Sequence, residues 1–379
     1  MNNITNIQKR TWAEINTSNL IHNFNIIKSK INQNTKVCCV IKANAYGHGS
    51  IELAKLYTRL GADFLAVSNI KEALDLRTNN ITLPILILGF TPPECADILN
   101  KFDISQCVYS LQYAKDLNSY AEQNNVKIKI HIKIDTGMGR LGFVFRPEEK
   151  TDLNDVLAAC KLNGFITEGI FTHFAIADGD ANRRAYTQLQ YDRFAEVLDY
   201  LDMHGIKFDI RHCANSATIF NYNNYQLDMV RAGIILYGLA PSSQMENIKD
   251  LRPAMTLKTV VSHIKELSVG ETIGYGRAFE SPRTTRIATL PIGYADGIFR
   301  SSTGYSVLIN GSSAPIVGKI CMDQTMIDIS DMDCRIGDVV TIFGDTQGHT
   351  ASDLALHNGT INYETTCNIG ERVPRIYTN

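Results

Sequence analysis

The chain has 379 residues, of which 44% are hydrophobic and 20% are charged. These fractions exclude a disordered chain, and the length predicts about two domains. The 37 basic and 39 acidic residues leave a formal net charge of -2, so no basic excess indicates nucleic acid or an anionic membrane as a partner.

The same composition bears on location and metal binding. No apolar run approaches the roughly 18 residues of a membrane-spanning helix, and the N-terminal string MNNITNIQKRTWAEI has no apolar signal core. The nine cysteines form no C-x-x-C pair, which is typical of reduced thiols and makes a zinc site improbable. We therefore expect a cytoplasmic protein without a metal.

Between residues 36 and 240, short apolar runs alternate with segments whose apolar residues have helical spacing. This alternation predicts a parallel sheet, and about eight units in about 200 residues is the size of a (β/α)₈ barrel. A doubly wound open sheet is the competing fold, although no G-x-G-x-x-G motif follows an early strand. The candidate strands are VCCVIK (37–42), DFLAVS (63–68), ILILGF (85–90), ISQCVYS (104–110), IKIHIKID (128–135), TEGIFTHF (167–174), FDIRHCA (208–214) and MVRAGI (229–234).

The pattern changes after Pro241. Short β-like runs separated by glycine-containing turns fill residues 255–379, and such runs are typical of a mostly antiparallel β domain. We place the barrel at residues 17–240 and the β domain at 241–379, with 241–252 as the linker.

Polar side chains follow several of the predicted barrel strands. The active site of a (β/α)₈ barrel lies at the carboxyl ends of its strands, so these side chains would meet at one mouth, although each alone is more often an ordinary strand-end residue. They are Lys42, Lys133, Asp135, Arg140, His173, Asn215, Ser216 and Arg231.

Two lysines are the most informative members of this set. Lys42, half-buried at a strand end, could have a lowered pKa and form a Schiff base with a carbonyl; a solvated lysine is the ordinary alternative. Along residues 127–135 charged residues alternate with isoleucines, so Lys133 and Asp135 would line the barrel interior, unless this strand is irregular and partly exposed. A buried lysine needs a neutralising partner.

A phosphate site is indicated after the last two barrel strands, where this fold commonly binds phosphate. Ser216 offers a hydroxyl there, and Gly233 lets backbone N–H groups approach an anion closely. A phosphate site beside a Schiff-base lysine suggests pyridoxal 5′-phosphate. In the β domain, Tyr275 lies in a Gly-Tyr-Gly string, where a tyrosine is most often an ordinary turn residue.

Nine strings taken together resemble the alanine racemase family, and they run in order from about residue 40 to residue 377. The resemblance implies a (β/α)₈ barrel followed by a β domain, with an N-terminal strand around residues 11–16 joining the β domain. The strings are VIKANAYGHG, KIDTGMGRLGF, THFA, HCANSA, VRAGIILYG, IGYGR, PIGYADGIFR, GKICMDQTMID and YETTCNIGERVPRIY.

The resemblance assigns most of the barrel residues to cofactor binding. Lys42 would carry pyridoxal phosphate, and Arg140 would hydrogen-bond its phenolic oxygen. Arg231, supported by His212, would face the pyridine nitrogen; a guanidinium is effectively always protonated and cannot give that nitrogen a proton, which limits side reactions. The remaining cofactor residues would be Tyr46, His173, Asn215, Ser216, Gly233, Ile234 and Tyr363.

The resemblance also implies a two-base racemisation in a homodimer. Lys42 would serve one face of Cα, and Tyr275 from the partner subunit would serve the other. Met322, also from the partner, would hold the substrate carboxylate with Arg140, and Asp323 would support it. Lys133 matches a position that is carbamylated in family members, and the carbamate would pair with Arg140.

An access channel is implied as well, with one departure from the family. Lys319 stands where many members have arginine, and the two side chains differ in bidentate pairing. This difference concerns the charge geometry of the channel and not the chemistry. The channel residues are Asp178, Tyr294, Arg300, Lys319 and Ile361.

Several other functions share parts of this pattern. A pyridoxal-dependent decarboxylase of the same architecture would place an acid at the position of Arg231, a non-catalytic pyridoxal phosphate carrier would not need residues 255–379, and a cofactor-free aldolase would not need the phosphate site. Among racemases, a serine or broad-specificity enzyme stays open, because one hydroxymethyl group is a small difference. D-Alanine for peptidoglycan is the expected product, and a catabolic role fits equally.

Overall fold

The computed structural model describes residues 10–149, 153–179, 181–245 and 248–379, and within these ranges eight parallel strands form a barrel. Seven strand pairs are formed in the order β10-β2-β3-β4-β5-β6-β8-β9. Between β9 and β10, the Arg231 N–H donates to the Ala214 carbonyl at 3.0 Å and nearly closes the ring. The strands are β2 Lys36–Val40, β3 Phe64–Val67, β4 Ile85–Ile87, β5 Ile104–Val108, β6 Ile128–Asp135, β8 Phe165–Phe171, β9 Ile210–His212 and β10 Met229–Ala232.

The eight predicted strands are therefore confirmed, and the open doubly wound sheet is excluded. A ninth short strand, β7 (Phe143–Val144), pairs in parallel with the end of β6 and was not predicted. The isoleucines of β6 are buried and face away from the alternating Lys133 and Asp135, which are also buried. The alternative of a partly exposed strand is therefore wrong for the end of β6 that reaches the mouth.

Amphipathic helices surround the barrel. Polar caps start several of them: the Asn69 and Ser110 side chains accept backbone N–H groups in the first turns of α3 and α5. Several helices bury apolar residues, such as Leu20, Phe24 and Ile27 of α1, against the strands. The helices are α1 Thr17–Ser29, α2 Ser50–Arg59, α3 Ile70–Thr78, α4 Ala96–Lys101, α5 Leu111–Gln123, α6 Asn154–Cys160, α7 Ala181–Met203 and α8 Ser216–Asn221.

A second, mostly antiparallel sheet follows the barrel, as predicted. Its order is β12-β15-β18-β17-β16-β19-β11-β1-β20, and a separate hairpin joins β13 to β14. The strands are β1 Thr11–Asn16, β11 Met255–Val260, β12 His263–Leu267, β13 Thr272–Ile273, β14 Phe279–Glu280, β15 Thr285–Leu290, β16 Ser306–Ile309, β17 Ser312–Val317, β18 Thr325–Asp328, β19 Val339–Phe343 and β20 Arg375–Thr378.

The two chain ends meet in this second sheet. Strand β1 pairs antiparallel with β11 and parallel with β20. Two short helices, α9 (Ala351–His357) and α10 (Asn362–Cys367), lie between β19 and β20 and were not predicted. The domain limits at residues 17, 240 and 241 stay predictions. None of the described helices is long and apolar enough to cross a membrane.

Candidate active site

A cavity of about 660 Å³ opens at the carboxyl ends of the barrel strands. Strand ends supply most of its wall. The part of the chain that contains most of the second sheet, from residue 254 onwards, is called the β-sheet half, and its helix α10 supplies Tyr363 to the wall. The structure brings together twelve of the predicted site residues here: Lys42, Tyr46, Lys133, Arg140, His173, Asp178, Asn215, Ser216, Arg231, Gly233, Ile234 and Tyr363.

The other predicted residues do not line this cavity. His212 is fully buried behind Arg231. The rest belong to the β-sheet half of the chain, and Tyr275 and Met322 are 70% and 53% exposed. Asp135 also lies outside the lining, because its carboxylate accepts the N–H groups of Gly137 and Gly139 and shapes the loop before Arg140. Those in the β-sheet half are Tyr275, Tyr294, Arg300, Lys319, Met322, Asp323 and Ile361.

Lys42 begins a left-handed turn. Four non-glycine residues in succession, Ala43 to Tyr46, have φ between 51° and 54°, a conformation that costs roughly 1–2 kcal/mol for each residue. Glu72 holds the turn from one side, since its two carboxylate oxygens accept the N–H groups of Ala43 and Ser68, each at 2.7 Å. Such strain persists only where the surroundings enforce it, and it occurs at functional sites.

The β-sheet half holds the same turn from the other side. The Arg375 guanidinium donates to the Gly47 carbonyl at 2.8 Å, and the Tyr377 hydroxyl donates to the His48 carbonyl at 3.0 Å. Gly47 has a φ of 86°, and a Cβ atom there would lie 2.1 Å from the Thr366 carbonyl oxygen. The position of Lys42 therefore depends on both halves of the chain.

The cavity wall carries excess positive charge. Lys42, Lys133, Arg140 and Arg231 all line it, and Asp178 is the acidic residue in the lining. Burial, and then the nearby Arg140 charge, lower the pKa of Lys42. Burial also lowers the pKa of Lys133 to about 8. A cavity with these groups attracts anions and favours a lysine in its neutral, nucleophilic form.

Arg231 is buried, and both of its terminal guanidinium nitrogens contact neutral acceptors. Its Nη1 donates to Nδ1 of His212 at 2.9 Å, and its Nη2 contacts the Thr172 carbonyl at 2.9 Å and both the Cys213 carbonyl and His173 Nδ1 at 3.2 Å. Burial lowers the pKa of Arg231 to about 10. Burial and then Arg231 lower the pKa of His173 well below its ordinary value, so His173 is neutral.

A cradle for an anion lies beside α8. The Gly233 N–H donates to Ser216 Oγ at 3.0 Å. A Cβ atom on Gly233 would lie 3.0 Å from the Tyr46 hydroxyl and 3.4 Å from Ser216 Oγ, so the missing side chain leaves room between these donors. Asn215 caps α8 by accepting the Thr218 N–H at 3.0 Å. Small residues and N–H or O–H donors in this arrangement suit a phosphate.

On the β-sheet half, Tyr275, Tyr294, Lys319, Met322 and Asp323 are exposed, and several of them lie close together. Tyr275 stands between Gly274 and Gly276, and a Cβ atom on Gly276 would lie 3.2 Å from Lys319 Nζ. The Ala295 N–H donates to the Met322 carbonyl at 3.0 Å and the Tyr294 N–H to the Cys321 carbonyl at 3.1 Å. Arg372 pairs with Asp323 at 2.7 Å. None of these residues lines the cavity at the barrel mouth.

Sequence reasoning missed Glu72, His131 and Glu168. Glu72 follows the predicted strand 63–68 and gave no chemical signal. His131 was visible as one of the alternating polar residues of β6, two positions before Lys133, and its inward side could have been inferred from that alternation. Glu168 faces the interior because the pairing of β8 with β6 shifts by one residue between Ile130 and His131, which no pattern in the sequence indicated.

Comparisons with known proteins agree over nearly the whole chain. The family profile "Alanine racemase, N-terminal domain" matches residues 15–241, and "Alanine racemase, C-terminal domain" matches residues 254–377. The chain belongs to the alanine racemase family. Membership makes the protein an isomerase that acts as an amino-acid racemase, and the resemblance found in the sequence is confirmed.

Individual alanine racemases are similar to this chain in sequence and in structure over nearly their whole length. "Alanine racemase 2" of Caldanaerobacter subterraneus subsp. tengcongensis is 44% identical over 97% of this chain and 94% of its own length. The solved alanine racemase of Clostridium difficile 630 has a TM-score of 0.91 at 44% identity, covering 97% of this chain and 96% of its own. A structure of that enzyme in complex with cycloserine covers 97% and 95%, with a TM-score of 0.88 and 43% identity.

Proposed function

We propose that the protein interconverts L-alanine and D-alanine with pyridoxal phosphate bound at Lys42. The observation that carries this proposal is the convergence of a desolvated lysine, a phosphate cradle and a buried arginine in one cavity. Relatives named alanine racemase support the substrate.

The residues present fit that cofactor. The cradle of Ser216, Tyr46 and the Gly233 N–H has the donors and the space for a phosphate. Lys42 has the lowered pKa that Schiff-base formation requires. When bound, pyridoxal phosphate would accept electron density from the bond broken at the substrate Cα. Asn215, Ile234 and Tyr363 complete the proposed cofactor pocket, and His173 would stack against the ring.

Two residues would move the proton. Lys42 would take or give it on one face of Cα, and Tyr275 of the partner subunit would serve the opposite face. Arg140 and the backbone N–H of Met322 of the partner subunit would hold the substrate carboxylate, with Asp323 supporting Met322. Arg231 would donate a hydrogen bond to the ring nitrogen without protonating it, because its proton is never released at neutral pH.

The position of Tyr275 supports the proposed dimer. Tyr275 is 70% exposed on the β-sheet half and does not line the cavity of its own chain, so a second chain would supply it for the two-base reaction. Tyr294, Arg300, Lys319 and Ile361 would frame the access channel together with Asp178. Lys319 replaces the arginine of many relatives and would change the charge geometry of that channel.

Lys133 would carry a carbamate. Its side chain is buried, makes no salt bridge within the described part of the chain, and has its Nζ 5.5 Å from the centre of the Phe171 ring. A pKa of about 8 provides the neutral amine, which would attack the carbon of CO₂, form an N–C bond and release a proton to water. ¹³C NMR of protein equilibrated with ¹³C-bicarbonate should show one carbamate signal that Lys133→Ala abolishes.

The product would serve peptidoglycan synthesis in the cytoplasm. The nine cysteines are all unpaired in the structure, which fits a reducing compartment. D-Alanine is the amino acid that a racemase of this family would supply for that purpose.

Enantiomer analysis tests the function directly. Purified protein with added pyridoxal phosphate is incubated with L-alanine, and with L-serine in parallel. We expect D-alanine to rise towards an equal mixture and serine to react much more slowly. Yellow protein that leaves alanine unchanged would contradict the reaction while retaining the cofactor, and fast serine racemisation would replace the substrate assignment.

A further inference from the structure

A chain of hydrogen bonds runs from Arg231 into the barrel interior. His212 Nδ1 contacts Arg231 Nη1 at 2.9 Å, and His212 Nε2 contacts His131 Nδ1 at 2.8 Å. His131 Nε2 then contacts a Glu168 carboxylate oxygen at 3.0 Å, and the Ser105 hydroxyl donates to the same oxygen. The chain thus crosses the barrel from β10 through β9 and β6 to β8 and β5.

The backbone is shaped to accommodate this chain. Strand β8 pairs with β6 as Ile130 with Thr167 and then His131 with Gly169, so Glu168 is an extra residue in a bulge. A Cβ atom on Gly169 would lie 2.4 Å from His131 Nδ1, so any other residue there would displace the imidazole. Both imidazoles are fully buried, and the Phe171 ring stacks on His212 at 4.7 Å.

The two ends of the chain determine its direction. An arginine only donates hydrogen bonds, and an ionised carboxylate only accepts them. Each neutral imidazole between them has one donor and one acceptor. One arrangement satisfies all three contacts: His212 accepts from Arg231 and donates to His131, and His131 donates to Glu168.

The charges agree with this arrangement. Burial, and then Arg231, lower the pKa of His212 well below its ordinary value, and burial lowers the pKa of His131 despite the hydrogen bond to Glu168. Burial opposes ionisation of Glu168, but hydrogen bonds from His131 and Ser105 outweigh it and lower the pKa of that carboxyl. Within the described residues Arg231 makes no salt bridge, so Glu168 is the anion to which it is linked.

We propose that Glu168 and His131 are positioning residues of the racemase, which hold His212 in the tautomer that accepts from Arg231 and so fix the orientation of that guanidinium in the cavity. The proposal rests on the proposed function only for its effect on rate. The order of protons in the chain follows from the residues alone.

Nitrogen NMR of holoenzyme labelled with ¹⁵N-histidine shows which ring nitrogen of His131 and His212 carries the proton. In the wild type, His131 and His212 should both be neutral with the proton on Nε2. A proton on Nδ1 of either ring, or a doubly protonated ring, would overturn the proposal, and this reading does not depend on whether a variant folds.

The variant Glu168→Gln then tests whether the Glu168 carboxylate fixes the tautomers of the two histidines. Its amide can donate as well as accept, so the chain loses its fixed direction. We expect mixed tautomers at His131 and His212, and a kcat about tenfold lower with KM within about twofold of the wild type. The matched control, Glu122→Gln, makes the same change at an exposed position of the outer helix α5, so tautomers should be unchanged and kcat within about twofold.

The two proposals fail separately. Folded Glu168→Gln protein with wild-type tautomers and wild-type kcat overturns the positioning role while racemase activity stands. Ordered tautomers in a protein that does not racemise alanine overturn the proposed function and the effect on rate, and leave the proton order in place.

Discussion

Arg231 of the barrel and Tyr275 of the β-sheet half represent two ways of holding a predicted site residue. Arg231 is 4% exposed, lines the cavity at the barrel mouth and makes contacts with four acceptors. Tyr275 is 70% exposed between two glycines with φ of 75° and 69°. Contacts within the chain therefore hold Arg231 in one orientation inside the cavity, whereas Tyr275 is exposed and does not line that cavity.

The largest expected effect is on kcat, when one acid/base residue is removed from the barrel or from the β-sheet half. Lys42→Ala and Tyr275→Phe should each lower kcat by about 10³-fold or more, because each removes one of two acid/base groups. If the two residues act across a symmetric interface, a mixed dimer of the two variants contains one site with both changes and one intact site. Equal amounts of the two chains, dissociated and reassembled together, should then recover about a quarter of the wild-type activity.

Two controls accompany that experiment. Each variant reassembled alone should stay inactive, and Tyr120→Phe, on the outer helix α5, should keep wild-type activity. If native mass spectrometry detects mixed dimers but racemase activity is not recovered, Lys42 and Tyr275 do not meet across an interface.

The same contrast explains what sequence alone could predict. The eight barrel strands and the mouth residues follow from a repeating pattern of apolar runs with polar ends, and every such residue except Asp135 lines the cavity. Asp135 differs because its carboxylate caps the loop that follows it. The sequence pattern predicts which strand a polar side chain follows. It does not predict whether that side chain hydrogen-bonds to nearby backbone groups and so turns away from the cavity.

Features that depend on backbone irregularity were not predictable. The left-handed turn after Lys42 contains Ala43, Asn44 and Ala45 at positive φ, and alanine gives no hint of that conformation. The interior position of Glu168 depends on a one-residue bulge. Tyr275 could be singled out by resemblance but not by physics, because a tyrosine between glycines has many ordinary uses.

The variant Gly233→Ala tests whether the cradle on the barrel side binds the cofactor phosphate. The added methyl group would lie 3.0 Å from the Tyr46 hydroxyl, inside the phosphate cradle. We expect the Kd for pyridoxal phosphate, measured by absorbance titration of the apoprotein, to rise about tenfold, equivalent to about 1.4 kcal/mol. Gly370→Ala is the matched control, since the nearest atom to its added methyl would be 3.6 Å away. Equal affinities in the two variants would exclude the cradle as the phosphate site.

The smallest expected effect concerns the cost of burying charge at the barrel mouth. Lys133 has a pKa of about 8 in the folded protein and about 10.4 in an unfolded chain. Below pH 8 the native state holds a buried ammonium, which lowers stability. Between about pH 8 and 10.4 the unfolded state binds more protons than the native state, so stability rises with pH.

Lys133→Met removes that dependence. In buffer freed of CO₂, the variant should be more stable than the wild type at pH 7 by about 1 to 3 kcal/mol, since each pKa unit between about 8 and 10.4 is worth about 1.4 kcal/mol, and its advantage should shrink as pH rises from 8 to 10. Urea denaturation at several pH values measures the difference. Added bicarbonate should stabilise the wild type and not the variant, because a carbamate replaces the unpaired ammonium with an anion next to Arg140 and Arg231. A stability difference that is independent of pH and bicarbonate would mean that Lys133 is already neutralised by a group of its own chain.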